Sequence, residues 1–532
     1  MNPSTEVLIV GAGPTGLMLA CQLARRGIRP MIIDRHAGPA RQTRAMGVHA
    51  RTLEIYEKLG IVGRALELGR IMEAGNIWAG GRPRARIPLG VMGQGVSRFP
   101  FLLMLGQDDN ERLLGEHLGN FGVTVQWQTE LLALEQQPDS VEARLRDADG
   151  SVRTLSARYV AGCDGARSTV RELNGIGFPG APYEHVFFVA DTEATGPMVP
   201  GELNVYLWRD GFHLYFPMRG SDRWRVIGIL PQALRAKESV SFEDVLPSLG
   251  AEGGHRIAFR SCAWFSTYRI HHRVTERFRN ARCFLLGDAA HVHSPMGAQG
   301  MNTGLQDAYN LAWKLALVVS GQAGEALLDS YEAERLPVAR RLLATTDRAF
   351  QLVVSKNRLG SFFRTRIMPN LAAFAMARET VRRLAFRALS QTGIAYRQSP
   401  LSQTLNGLPK EASQPGDRFP WLHLRFQADG PREDLFQRLD DTRFNLLAFG
   451  QRASLAELNA PAELLAVHEI PDGADNAAEL ARVAIKGPAF YLLRPDGHVG
   501  LAGTRLDTAA LMRWFESAHL QLGAPISWSK AS

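Results

Sequence analysis

Cysteine is scarce in this 532-residue chain: Cys21, Cys163, Cys262 and Cys283 are the only four. They are scattered, with no CxxC and no His/Cys spacing of a metal site, so a metal module and a disulfide framework are both excluded and reduced thiols in a cytoplasmic protein are expected. Long apolar runs are missing too. No stretch reaches the ~20 apolar residues needed to cross a bilayer, and Leu311 to Val319 is short and contains Lys314, so no membrane insertion is expected. No basic region followed by an apolar run opens the chain. The net charge of +8 comes from arginines dispersed along the sequence. Without a basic stripe or interleaved aromatics, no nucleic-acid partner is expected. No fixed-period repeat or low-complexity tract occurs. What is present, 45% hydrophobic and 21% charged residues, suits a globular chain of two or three domains.

The stretch from Val7 to Asp34 organises the reading. An apolar run, Val7 to Val10, meets glycines at 11, 13 and 16 before an amphipathic segment that stops at Gly27, and a second apolar run, Met31 to Ile33, ends in Asp34. Strand, tight turn, helix and strand with a closing acid form the dinucleotide-binding pattern. Gly11 permits the turn, Gly13 lets backbone approach a pyrophosphate, and Gly16 lets helix pack on strand. The motif alone leaves FAD and NAD(P) open.

Further along, RQTRAMGVHARTLE places Arg44 just after the second strand, where a guanidinium reaches a phosphate or else forms a surface ion pair. Phe101 to Leu105 reads as a strand leading into a helix, and Val141 to Arg146 and Val152 to Ala157 as strands joined at Asp149-Gly150. Tyr159 to Ala161 runs into GCDGARSTVR, which puts Asp164 and Gly165 at a sheet's carboxyl edge. Short aromatic-rich runs between Phe178 and His272 predict an antiparallel sheet as the substrate domain. Then Arg282 to Leu286 delivers Asp288 to a loop, and the glycine-rich turn before Leu305 presents backbone N–H groups at the start of a long helix. Asp288 suits a sugar hydroxyl; the N–H groups of Met301 and Asn302 suit an electron-rich carbonyl. Glycines 297, 300 and 304 are expected where a flat ring lies against backbone. An arginine-rich helical region follows to about Leu389, then a linker over Gly393 to Pro420, then a small α/β domain without cysteine.

GAGPTG, CDGARS and GDAAHVHSPMGAQGMNTGLQDAYNLAWKL, in this order and spacing, resemble the signature set of the class A flavoprotein aromatic hydroxylases, over about the first two-thirds of the chain. The tail resembles the thioredoxin-like C-terminal domain of larger members. The implied fold is mixed α/β and α+β: a Rossmann-like FAD-binding domain in two parts, 1–177 and 273–392, with an inserted antiparallel-sheet substrate domain, 178–272. A linker, 393–420, and a thioredoxin-like domain without CxxC, 421–532, complete it. The resemblance implies FAD held by Gly11, Gly13, Gly16, Asp34, Arg35, Arg44, Gln107 and Asp288, with Gly300, Met301 and Asn302 against the flavin, and Asp164 and Gly165 serving FAD and NAD(P)H. Asp34 stands where many members carry Glu, and Ser294 and Ala298 where Pro and Gly are common.

The implied activity is hydroxylation of a phenolic or other electron-rich aromatic compound by NAD(P)H and O₂ through a flavin C4a-hydroperoxide, with NADPH favoured. No second GxGxxG follows a strand, so NAD(P)H is expected to dock in a surface groove bordered by Arg44 and Asp164. Attack on a phenol calls for a base or polarising hydrogen bond. His213 and Tyr215, alternating onto one face of a strand, are the candidates, with satisfied strand residues as the alternative. Polyketide or antibiotic substrates, Baeyer–Villiger insertion, loss of a nitro or halide group, and a non-catalytic flavin- or drug-binding protein are the competing readings. A homodimer is expected from the resemblance.

Overall fold

A computed structural model describes residues 3–40, 45–208, 211–218, 220, 222–251, 257–294, 296–354, 362–405, 407–427, 430–453 and 461–520. The first strand, β1 (Ser4–Val10), is apolar and wholly buried from Val7 to Ile9 because both of its faces are covered. Gly13 caps α1 (Pro14–Arg25), and Pro14 supplies the fixed φ suited to a first helical turn. The chain returns through β2 (Met31–Asp34). After α2 (Ala50–Leu59) come β3 (Ala74–Ala79) and β4 (Arg82–Pro88), then α3 (Gln107–Gly119). Strands β5 (Val125–Trp127), β6 (Glu130–Gln136), β7 (Val141–Arg146) and β8 (Val152–Gly162) complete the first pass. The turn expected at Asp149-Gly150 joins β7 to β8, with Gly150 at φ +83°. The two runs read separately on either side of Arg158 are one strand, β8.

The middle of the chain forms β9 (Gly180–Thr195), β10 (Leu203–Trp208), β11 (Gly211–Pro217), β12 (Arg223–Ile229), α4 (Phe242–Ala251) and β13 (Ala258–Val274). Then β14 (Cys283–Leu285) re-enters the first sheet, parallel to β8, which runs parallel beside β1, itself parallel beside β2. This is the parallel core of a doubly wound domain. Next come β15 (His291–Val292), α5 (Gly300–Val319), α6 (Asp329–Val354), α7 (Met368–Met376) and α8 (Glu379–Leu389). Among the described residues, no helix is long and apolar enough to cross a membrane.

The middle sheet is antiparallel across β13, β9, β12, β11 and β10 as expected, but β3 joins β10 in parallel and the boundaries are wider than 178–272. Its strand order is β15-β13-β9-β12-β11-β10-β3-β4. Residues 74–88 from the first segment and 291–292 from the second close its two edges, because β10 offers a free edge to β3 and β13 one to β15. One face lies beneath α4. The other carries Phe187, Leu207, Phe212 and Ile229 and packs against Met368 of α7.

Residues 393–420 are not a free linker. Tyr396, Leu401 and Phe419 are buried, and β16 (Gln403–Thr404) pairs with the C-terminal sheet. That sheet adds β17 (Phe444–Phe449), β18 (Leu465–Ile470), β19 (Ala489–Leu493) and β20 (Val499–Gly503) in the order β16-β20-β19-β17-β18. It docks on α5 and α6 through charges. Arg494 bonds Glu334 at 2.5 and 3.0 Å and Asp496 at 2.5 Å, while Lys314 reaches Glu334 at 2.8 Å, all fully buried or nearly so. Burial alone raises the Glu334 carboxyl, but Arg494 and Lys314 outweigh it and hold it down to about 2. Asp307 receives Arg335 at 2.6 Å and His291 at 2.7 Å. Losing one member of such a buried pair costs about 3–5 kcal/mol, since the other is left uncompensated.

Candidate active site

Eight of the expected residues, Gly11, Gly13, Asp34, Arg35, Gln107, Asp164, Gly165 and Asp288, line one cavity of about 1380 Å³ at the carboxyl edge of the parallel strands. Gly11 has φ +106°, and a Cβ there would meet the Cys163 carbonyl oxygen at 2.3 Å; only glycine fits between β1 and the end of β8. The space in front of Gly13 is open, with nothing within 4 Å of a Cβ position, as close approach by a pyrophosphate requires. Gly16 does not line the cavity. Its bare face meets the Gly11 carbonyl oxygen, so its part is the expected close packing of helix on turn.

Asp34 accepts the Ala12 N–H at 2.8 Å and the His36 N–H at 2.8 Å, so its carboxylate also shapes the glycine loop. Gln107 donates to Glu111 at 2.8 Å, and burial raises the Glu111 carboxyl. Asp164 turns back on its own loop: Ser168 Oγ donates to it at 2.5 Å and the Val170 N–H at 3.1 Å. Its carboxyl is raised by burial. It lines this cavity. Arg44 falls outside the described residues.

The second cluster lies where α5 begins. This helix starts at Gly300 with no side-chain cap, so its first N–H groups face outward with the positive end of the helix dipole. Asn302 is fully buried and its side chain is saturated. It accepts from the His49 N–H at 2.9 Å and Thr52 Oγ1 at 2.7 Å, and donates to the Gly47 and Ala298 carbonyls at 2.8 and 2.9 Å. Only its backbone is left for a ligand. Gly304 is not part of a ring platform: a Cβ there would meet Thr15 Oγ1 at 2.4 Å, so the glycine lets α5 cross α1. Ala298, where the family favours glycine, has φ +54°, and its methyl abuts Gly47.

His213 and Tyr215 share a face as alternation requires, but it is the face covered by α4. Tyr215 is fully buried in the cluster of Phe242, Val245 and Leu249, and its hydroxyl has no hydrogen-bond partner among the described residues. His213 lies 3.9 Å from the Trp208 ring and 5.9 Å from the Phe188 ring, and burial lowers it to about 3. Both are core residues. Two histidines that sequence reasoning passed over stand at the head of α5 instead. His49 Nε2 donates to the Gly297 carbonyl at 2.7 Å. His293 Nδ1 donates to the Ser294 carbonyl at 2.7 Å, which leaves Nε2 as an acceptor, buried, without a partner among the described residues and 3.6 Å from the Cβ position of Gly300. Burial lowers each to about 4, so both are neutral near pH 7. The signal for His293 is its place two residues beyond His291, just past the end of β15, in the glycine-rich motif.

The residues fit FAD: an open approach to Gly13 for a pyrophosphate, carboxylates at Asp34 and Asp288 for sugar hydroxyls, and uncapped N–H groups at Gly300 to Asn302 for an anionic carbonyl edge.

Known proteins agree. The FAD binding domain family matches residues 4–346, and the aromatic-ring hydroxylase C-terminal family matches residues 412–518. The chain is 34% identical to 6-methylpretetramide 4-monooxygenase of Streptomyces rimosus, over 97% of its own length and 94% of that protein. It is 33% identical to rifampicin monooxygenase of Streptomyces venezuelae, over 94% and 95%. A ternary complex of aklavinone-11 hydroxylase with FAD and aklavinone superposes with a TM-score of 0.79 at 26% identity, covering 98% of this chain and 100% of that one. Two families matched in the order that the cavity, the middle sheet and the C-terminal domain require leave one assignment: the chain belongs to the FAD-dependent aromatic-ring monooxygenases.

Proposed function

We propose that this monooxygenase hydroxylates a fused-ring phenol of the aromatic polyketide kind, with NADPH as reductant. The observation that carries the substrate class is the inner face of the middle sheet. There Phe187, Leu207 and Phe212, nearly inaccessible and packed with Met368 of α7 and Tyr268, make an aromatic and aliphatic layer that would have to part from α7 to take a flat polycycle. The relatives named for 6-methylpretetramide, rifampicin and aklavinone support the same class.

FAD, when bound, supplies hydride acceptance and oxygen activation. The chain supplies the rest. Gly13 and the head of α1 hold the pyrophosphate, Asp34 and Asp288 the sugar hydroxyls, and Arg35 and Gln107 flank that cavity. The uncapped N–H groups at Met301 and Asn302 would face the bound flavin and could stabilise negative charge there. His293 Nε2 accepts a hydrogen bond from the substrate phenol, which enriches the ring at the carbon to be oxygenated. The apolar wall excludes water from that step.

The test is NADPH consumption by FAD-loaded protein across a panel from simple phenols to three- and four-ring phenols, with hydroxylated product and peroxide scored together. Coupled product from the larger phenols is the expected result. Efficient coupling with simple phenols and none with fused rings would overturn the substrate class, and no stimulation by any member would favour a binding protein.

A further inference from the structure

A second large cavity, about 1610 Å³, runs between α6, α8, residues 393–420 and the C-terminal domain. Gly297, itself exposed, and Gln299, the N-cap residue of α5, are among its lining residues. Its walls carry seven cations, counted as Arg341, Arg383, Arg387, Arg397, Lys410, Arg418 and Arg482, against three carboxylates, Glu334, Glu411 and Asp417. Four of the cations are already spent on carboxylates: Arg418 on Glu54, Arg397 on Asp417, Arg482 on Glu479 and Arg383 on Glu379. Arg341, Arg387 and Lys410 are exposed and have no ion pair among the described residues. Trp421, part-exposed, also lines it, its indole N–H fixed to Asp434 at 2.8 Å.

We infer that this groove is the docking site of the nicotinamide dinucleotide. A neutral polycycle gains nothing from three unpaired cations, whereas a pyrophosphate and a 2′-phosphate each take a guanidinium or ammonium as a charge-assisted partner. The indole offers a stacking face for the adenine, as bases use aromatic side chains elsewhere. Through Gly297 and Gln299 the groove borders the start of α5, where the nicotinamide would meet bound FAD and give up its hydride, the oxidised dinucleotide then leaving. This differs from the expected groove beside Arg44 and Asp164. The inference rests on the reading of the chain as an NAD(P)H-dependent flavin monooxygenase.

The test uses the FAD-loaded full chain, with flavin reduction followed in a stopped-flow instrument against NADPH concentration. In the Arg341→Ala, Arg387→Ala, Lys410→Ala triple variant the NADPH concentration for half-saturation is expected to rise at least about tenfold, since phosphate contacts to charged groups are lost. FAD content, and the flavin spectral change on binding the aromatic substrate, are expected to stay as in the unaltered protein. A footprint on that unaltered protein covers the case of a misfolded variant: NADP⁺ is expected to shield Lys410 from an amine-reactive label. Unchanged NADPH saturation with weakened aromatic binding would assign the groove to the substrate. Unchanged saturation with no shielding of Lys410 would overturn the site outright. If the unaltered protein is reduced by dithionite but not by NADPH, the underlying reading fails instead.

Discussion

His213→Phe separates a core histidine from a proton-handling one. In the folded chain burial holds the imidazole neutral down to about 3, against an ordinary value of 6.5. A depressed imidazole costs nothing above the ordinary value and costs progressively more as pH falls through the window between the two. At about pH 5 the unfolded chain has bound a proton that the folded chain refuses, and roughly 1.5 pH units at about 1.36 kcal/mol each is about 2 kcal/mol. Phenylalanine fits among Trp208 and Phe188 and carries no proton. The gap in unfolding free energy between about pH 8 and pH 5 is therefore expected to narrow by about 2 kcal/mol. Other buried histidines, His49, His293 and His468, each lowered to about 4, keep the rest of the slope. Urea titrations at the two pH values, read by tryptophan fluorescence, measure the gap, and substrate-coupled NADPH oxidation is followed alongside. An unchanged gap together with lost hydroxylation at normal FAD content would refute the core placement and restore His213 as a participant in chemistry.

Three further outcomes are expected. His293→Phe should lower the hydroxylation rate by about tenfold or more while leaving flavin reduction by NADPH intact, and the deficit should shrink as pH rises and the phenol ionises unaided. Gly47→Ala sets a methyl 2.6 Å from the Ala298 methyl and should weaken FAD retention. Adding Ala298→Gly should return part of it, with a coupling of about 0.5–3 kcal/mol, because the second change removes both the clash and a left-handed alanine. Glu334→Gln should cost about 3–5 kcal/mol and open the C-terminal domain to limited proteolysis at temperatures that the parent protein withstands.

The parallel core was legible because its signals are local. Gly11, Gly13 and Asp34 stand at spacings that only one arrangement of strand, turn and helix explains, and the cavity brings them together. The start of α5 was legible for the same reason. What stayed hidden depends on distant partners. Period-two alternation places His213 and Tyr215 on one face correctly, but which face α4 covers is decided by Phe242, Val245 and Leu249, about thirty residues on. Gly304 was attributed to a ligand because a helix crossing at Thr15 leaves no mark in the local pattern. The ionic seam of Lys314, Glu334 and Arg494 has a faint signal, a lysine inside an apolar helical stripe, but its partner Glu334 lies 20 residues on and that carboxylate's other partner, Arg494, a further 160.

The stitched sheet limits how this protein can be altered. A swap of residues 178–272 for those of a relative would leave two foreign edges, since β3 and β4 come from before the insert and β15 from after it. Because β15 leads directly into the loop that carries His293 and Gly300, any exchange that shifts register at Arg273 and Val274 also shifts the start of α5, where we propose that the flavin lies. Substrate range and cofactor geometry are thus inherited together in this fold. If the proposed substrate face holds, new specificities are better sought by point changes at Phe187, Leu207 and Phe212 than by trading the domain whole.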